Sequence, residues 1–236
     1  QVPPVLPTVV LVHGAWADGS SWRLVIPYLL ERNIPVVAVQ NPTTSLGADV
    51  AATRQALDAI KGPVVLVGHS WGGAVITEAG NDPKVKALVY VAALAPDEGE
   101  TVADVFYRLP PHPFAPKLAP DGNGLIWLPE SAFASAFAQG ARSEDLAVLA
   151  AVQRPISPAC ITAPVGRPLW KDVPSWFLVA EEDRMIVPEM QRVMAARMQA
   201  TVCSHAVDHT PLVTAPALVT AIVREAISAV AGQTRS

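Results

Sequence analysis

Short runs of β-branched and other apolar residues punctuate the chain: Thr8-Val9-Val10-Leu11-Val12, Val36-Val37-Ala38-Val39, Val64-Val65-Leu66-Val67, Ala87-Leu88-Val89-Tyr90-Val91, Ser175-Trp176-Phe177-Leu178-Val179 and Thr201-Val202-Cys203. Their apolarity is continuous rather than alternating, the pattern of strands buried on both faces. Between them, apolar positions recur at helical spacing near residues 21–32, 47–60, 71–80, 188–199 and 216–231. The last helix is predicted to open at Pro216 and to stop before Gly232, with proline at its entry and glycine at its exit. Strand alternating with helix predicts an α/β chain with a doubly wound, mostly parallel sheet of about six strands.

One interval breaks the alternation. From Asp97 to Asp172 the chain is rich in proline, with "LPPHPFAPKLAP" early and "SPACITAP" late, and helical spacing appears over 131–139 and 143–153. So long an excursion between two strands exceeds an ordinary connection. It is expected to form a helical cap inserted at 97–172, lying over a core built from 1–96 and 173–236.

Composition narrows the classes of function. Hydrophobic residues make up 51% and charged residues 16%, a globular profile. Seventeen Lys plus Arg against 21 Asp plus Glu give a net charge of −4, with no basic stripe to follow a phosphate backbone, so nucleic acid is not expected as a partner. The longest apolar stretches, such as Ala87 to Pro96, are about half of the ~20 residues that cross a bilayer, so no membrane span is expected. The chain opens at Gln1 rather than methionine, which fits removal of a tag or an export signal and leaves cytoplasm and exterior both open. Cys160 and Cys203 have neither disulfide-framework nor metal-ligand spacing and read as ordinary thiols.

The chemistry gathers where strands end, since in a doubly wound sheet sites lie beyond the carboxyl ends of the strands. After the strand Val64 to Val67 comes Gly68-His69-Ser70-Trp71-Gly72 and then a helical pattern, the context of a G-x-S-x-G nucleophile elbow. Side chains at the flanking glycines would collide with the neighbouring strand and helix, and Ser70 is expected in a strained conformation at a helix N-terminus. A serine hydroxyl needs a base, and the base needs an orienting acid. Of five histidines, His13 and His69 belong to glycine turns and His112 to the cap prolines; His205 sits close to its strand and reads as structural. His209, in "VDHTPLVTAP", lies just beyond that strand and is the expected base. Asp183, in "LVAEEDRMIVP", is the expected acid, with Glu181 and Glu182 as weaker neighbours and Asp97 as the alternative. The order Ser70, Asp183, His209 is the one this architecture requires. By position, the amides of Ala15, in "HGAWADGSSW", and Trp71 are expected to form the oxyanion hole.

These same segments, "VLVHGAW", "VVLVGHSWGGAVI", "EEDRMIVPEMQ" and "DHTPLVTAP", resemble the α/β-hydrolase superfamily, and within it the branch of plant methyl esterases and hydroxynitrile lyases with its bacterial esterase-like members. The resemblance runs from Val9 to Ala229. It implies an α/β-hydrolase fold and an esterase with no metal and no cofactor, whose helical cap closes an apolar pocket over a small-molecule ester, in a monomer or homodimer. Phe106, Trp127, Leu128, Phe133 and Phe137 are either pocket lining or simple packing. Three competing uses of the fold are a hydroxynitrile lyase, a cofactor-free oxidase and a ligand-binding receptor. Lyases of the branch carry threonine after the first-turn histidine and lysine after the catalytic histidine; here Gly14 and Thr210 stand at those places, which favours ester hydrolysis.

Overall fold

The computed structural model describes residues 5–79 and 81–233. Gln1, and Gly80 at the end of the helix expected over 71–80, lie outside the described residues. Six strands form one sheet: β1 (Thr8–Val12), β2 (Val36–Val39), β3 (Val64–His69), β4 (Val85–Val91), β5 (Ser175–Ala180) and β6 (Thr201–His205). Their order is β2-β1-β3-β4-β5-β6 and every pairing is parallel. All residues of β3 and of β5 are buried, which is why their apolar runs show no alternation.

Helices α1 (Ile26–Leu30), α2 (Leu46–Asp58) and α3 (Trp71–Ala79) follow the first three strands. The single helix expected over 21–32 is instead a 3-10 turn at Gly19–Trp22 followed by α1. Pro27 is the reason: it has no amide hydrogen and its ring would strike the carbonyl four residues back, so it fits only the first turn of a helix. Ser45 caps α2 by accepting from the Ala48 amide at 2.9 Å.

After β4 the chain leaves the sheet and returns at β5. Between them lie α4 (Val102–Phe106), α5 (Glu130–Ala132), a π-helical turn at Phe133–Phe137, α6 (Ser143–Ala151) and α7 (Pro158–Thr162). The pattern over 131–139 therefore resolves into a short α turn running into a π turn.

Helix α8 (Pro188–Arg197) leads to β6, and α9 (Pro211–Thr214) to the terminal α10 (Pro216–Gln233). Helix α10 runs through Gly232 rather than stopping before it. Glycine inside a helix costs only ~1 kcal/mol, and Gly232 takes no left-handed turn that would end the helix. Helix α10 packs across β3, β4 and β5, while α2 and α3 pack on one another and on β1. Among the described residues no helix is long and apolar enough to cross a membrane.

Candidate active site

Ser70 stands between β3 and α3 with φ at +54°, a left-handed backbone that a non-glycine residue adopts only where its surroundings enforce it. The turn is packed to backbone contact on both sides. A Cβ at Gly72 would lie 2.3 Å from the Val12 carbonyl oxygen, and one at Gly68 would lie 2.6 Å from the Gly72 oxygen. Ser70 is held by its own peptide groups: its amide donates to Val91 O at 3.3 Å, and its carbonyl accepts from Gly73 and Leu94 at 2.9 and 3.1 Å.

His209 comes from the loop after β6 and reaches this serine. Its Nε2 lies 3.0 Å from Ser70 Oγ, and its Nδ1 lies 2.8 Å from Asp183 Oδ2. Both His209 and Asp183 are 1% exposed, and Ser70 is 8% exposed. A carboxylate so buried needs donors, and Asp183 has several. Its Oδ1 accepts from the amides of Met185 and Ile186 at 2.8 and 2.9 Å, and its Oδ2 from Gln191 Nε2 at 2.8 Å. The other acid candidates lie elsewhere. Asp97 pairs with Lys171 at 3.0 Å, Glu181 binds Arg192 at 2.7 Å, and Glu182 is exposed. His205 sits within β6, and His112 accepts from the Phe114 amide at 3.0 Å.

The two histidines of the glycine turns are structural. His13 donates from Nδ1 to Gly14 O at 2.8 Å and accepts from the Asn41 amide on Nε2 at 2.9 Å, so it is neutral, and burial pushes its imidazole down to about 4. His69 donates from Nε2 to the carbonyl of His209 at 2.7 Å, fixing the backbone behind the putting-forward of that ring. Burial above all, then the neighbouring charge of His209, holds His69 well below the ordinary imidazole range.

Among the described residues nothing accepts a hydrogen bond from the amides of Ala15 or Trp71. Trp71 opens α3, where amides have no partner within the helix and the helix dipole is positive. Both residues border a cavity that also takes in Ser70, with about 500 Å3 of empty space, mouth included. Its remaining walls are apolar, with Leu94, Val102, Ile126 and Ile156 among them. Of the five aromatic and aliphatic candidates for its lining, Phe106 alone borders it. Leu128, Phe133 and Phe137 are buried in packing, and Trp127 is turned outward, 45% exposed. Phe137 still serves the site, since its ring meets the His209 imidazole edge-on at 5.4 Å between centroids.

Three side chains that support the site received no role from the sequence. Gln191 on α8 binds Asp183 and also accepts from the Ala180 amide at 3.0 Å. Asp49, wholly buried on α2, accepts from the Trp71 indole and from the Thr43 amide, each at 2.8 Å. Burial pushes the Asp49 carboxyl up. Asp208 accepts from the amides of Thr210 and Gly140 at 3.0 Å each and from the Thr214 hydroxyl at 2.7 Å. Asp208 carried a signal in its place beside His209 and Gln191 in its place at the end of "EEDRMIVPEMQ", whereas Asp49 meets the Trp71 indole 22 positions away.

A sequence profile of the alpha/beta hydrolase family matches residues 9–222. The chain belongs to that family. A carbendazim hydrolyzing esterase of Nocardioides sp. (strain SG-4G) is 32% identical over 117 residues, which take in 43% of this α/β hydrolase and 48% of that relative, about half its length. In fold, the α/β hydrolase is similar to polyneuridine aldehyde esterase, with a TM-score of 0.82 at 20% identity, covering 94% of this chain and 99% of the other. It is likewise similar to a methylesterase from Arabidopsis, with a TM-score of 0.78 at 18% identity, covering 94% and 99%. The expected resemblance to plant methyl esterases is therefore matched in architecture.

Proposed function

We propose that this α/β hydrolase is a serine esterase that cleaves carboxylic esters of small or aryl substrates through an acyl-enzyme intermediate. The observation that carries the reading is the hydrogen-bonded line from Ser70 Oγ through His209 to Asp183, at 3.0 and 2.8 Å, opening on an apolar cavity. Ser70 Oγ attacks the ester carbonyl carbon while His209 Nε2 takes its proton. Asp183 holds the imidazole with Nδ1 protonated and stabilises the imidazolium. The amides of Ala15 and Trp71 receive the oxyanion, a contribution of ~2.7–4 kcal/mol per donor. On collapse the carbon to alcohol-oxygen bond breaks, and His209 returns the proton to the leaving alcohol. Water, deprotonated by His209, then attacks the acyl carbon and frees the acid and Ser70.

In this reading residues 97–172 act as the cap that shuts the acyl group away from bulk water. Esterase names among the similar proteins support the reading. Lyase chemistry gains no support, because Gly14 offers no hydroxyl and Thr210 no cationic group at the two places where lyases of the branch carry threonine and lysine.

The test uses p-nitrophenyl and methyl esters of varied acyl length. Ser70→Ala and His209→Ala are each expected to lower ester turnover by several orders of magnitude, since such residues act as a unit. An organophosphate should add one phosphoryl group to Ser70. His205→Ala should retain most turnover. A dead His205→Ala beside an active His209→Ala, or cyanide release from mandelonitrile matching ester turnover, would overturn the assignment.

A further inference from the structure

Past Phe106, Tyr107 and Leu118 lies a second, wider depression of about 1210 Å3, counted out to its open rim. Those three side chains border both spaces, so the cavity at Ser70 and the outer groove adjoin across them. The groove is otherwise bounded by Met185 and Val187, just past the acid, and by a strap of residues 111–117. Pro111, Pro113 and Pro116 fix the backbone of that strap, so its wall is formed before anything binds. The strap is also anchored to the acid loop. The Arg184 guanidinium lies 4.9 Å over the Phe114 ring and donates to Ser135 O at 2.7 Å, while Asp183 is the next residue back.

We propose that this proline-rich groove is the subsite for the alcohol arm of the ester, while the cavity at Ser70 takes a compact apolar acyl group. The inference rests on the esterase reading above and names its substrate class. The acyl carbon must sit among Ser70 and the amides of Ala15 and Trp71, all of which border the inner cavity. When the Ser70 ester bond forms and the carbon to alcohol-oxygen bond breaks, the acyl group stays and the alcohol, reprotonated by His209, has to leave. The larger of the two spaces is the one with room for a departing group, and vacating it lets water approach the acyl carbon. The groove is lined largely by apolar side chains; His112 and Lys117 are its basic members, and no acidic residue lines it. An uncharged aryl or arylmethyl alcohol fits it, and a cationic alcohol does not.

The test holds the acyl group at butyrate and compares benzyl with 4-phenylbenzyl esters, whose alcohols differ in reach but little in acidity. Wild-type kcat/KM is expected to favour the 4-phenylbenzyl ester by about tenfold. Ala115→Trp, which fills the groove from the strap, should bring that ratio to about one. As a check that needs no variant, 4-phenylbenzyl alcohol should inhibit ethyl butyrate hydrolysis at about a tenth of the concentration benzyl alcohol requires. A wild-type ratio near one, or an Ala115→Trp variant that instead alters discrimination between ethyl butyrate and ethyl dodecanoate, would overturn the groove assignment. Absence of turnover on every one of these esters would overturn the esterase reading beneath it.

Discussion

At the scale of the residue, the turn at Ser70 concentrates the most demanding geometry. Ser70 keeps its left-handed φ of +54° because β1, β4 and the start of α3 close on it from every side, a strain of ~1–3 kcal/mol held by the surrounding fold. The glycines are needed for proximity. Gly72→Ala would press a methyl group to 2.3 Å from the Val12 oxygen, and backbone cannot yield as a flexible side chain can. The variant should lose ~1–3 kcal/mol of unfolding free energy in a urea titration. Gly62→Ala is the matched control, since nothing lies within 4 Å of its added methyl. It should be neutral or stabilising by ~0.4–1 kcal/mol, because alanine restricts the unfolded chain.

Elements meet at the site through a small number of side-chain tethers. The segment around the π turn is fastened to the histidine loop by Gly140 N to Asp208 at 3.0 Å and by Thr210 Oγ1 to Phe137 O at 2.7 Å. It is fastened to the acid loop by Gln139 Nε2, which donates to Glu182 O at 2.7 Å. Asp208 is the junction, 3% exposed, with three donors converging on one carboxylate. Removing it leaves the buried Thr210 amide and the part-buried Gly140 amide without their acceptor. Asp208→Ala is expected to lose ~2–4 kcal/mol of stability, and the amides of Gly140 and Thr210 should exchange faster with deuterium than those of β3. Equal protection of Gly140 in variant and wild type would show that the tether is dispensable.

For the molecule as a whole, the buried histidines set the response to acid. His13 titrates near 6.5 in an unfolded chain and at about 4 in the fold, where burial opposes its charge. The unfolded state therefore binds the extra proton first. The resulting stability is fully present above pH 6.5 and declines as pH falls toward 4, by on the order of 3 kcal/mol. His69, held low for the same reason, acts in the same direction. Glu100 enters only at the acid end of that window: burial pushes its carboxyl up, but Arg197, the Asp97 amide and Arg108 outweigh it and hold it at about 2, so its contribution begins to fade as pH falls through 4.5, where the unfolded carboxyl takes its proton. Urea midpoints measured from pH 8 to 4 should fall below pH 6.5, and His13→Gln should flatten that fall.

The sequence by itself determined the sheet, because strands buried on both faces must be apolar throughout, and each of the six runs became a strand. It also determined the tight turn at Ser70, since a close strand-to-helix turn demands glycine at fixed offsets. Where local chemistry was the only guide, boundaries moved: Pro27 cut one expected helix, and Gly232 failed to end another. Tertiary structure alone decided the rest. It placed Asp183 2.8 Å from His209 and Asp97 beside Lys171. It turned Trp127 outward, buried Phe133 and Phe137, and left Phe106 at the cavity. It also brought Gln191, Asp49 and Asp208 to the site. The physical reason is one of range: turns and strand burial are written in adjacent residues, whereas the partner of a buried polar atom is set by which distant segments the packed core brings within hydrogen-bonding distance.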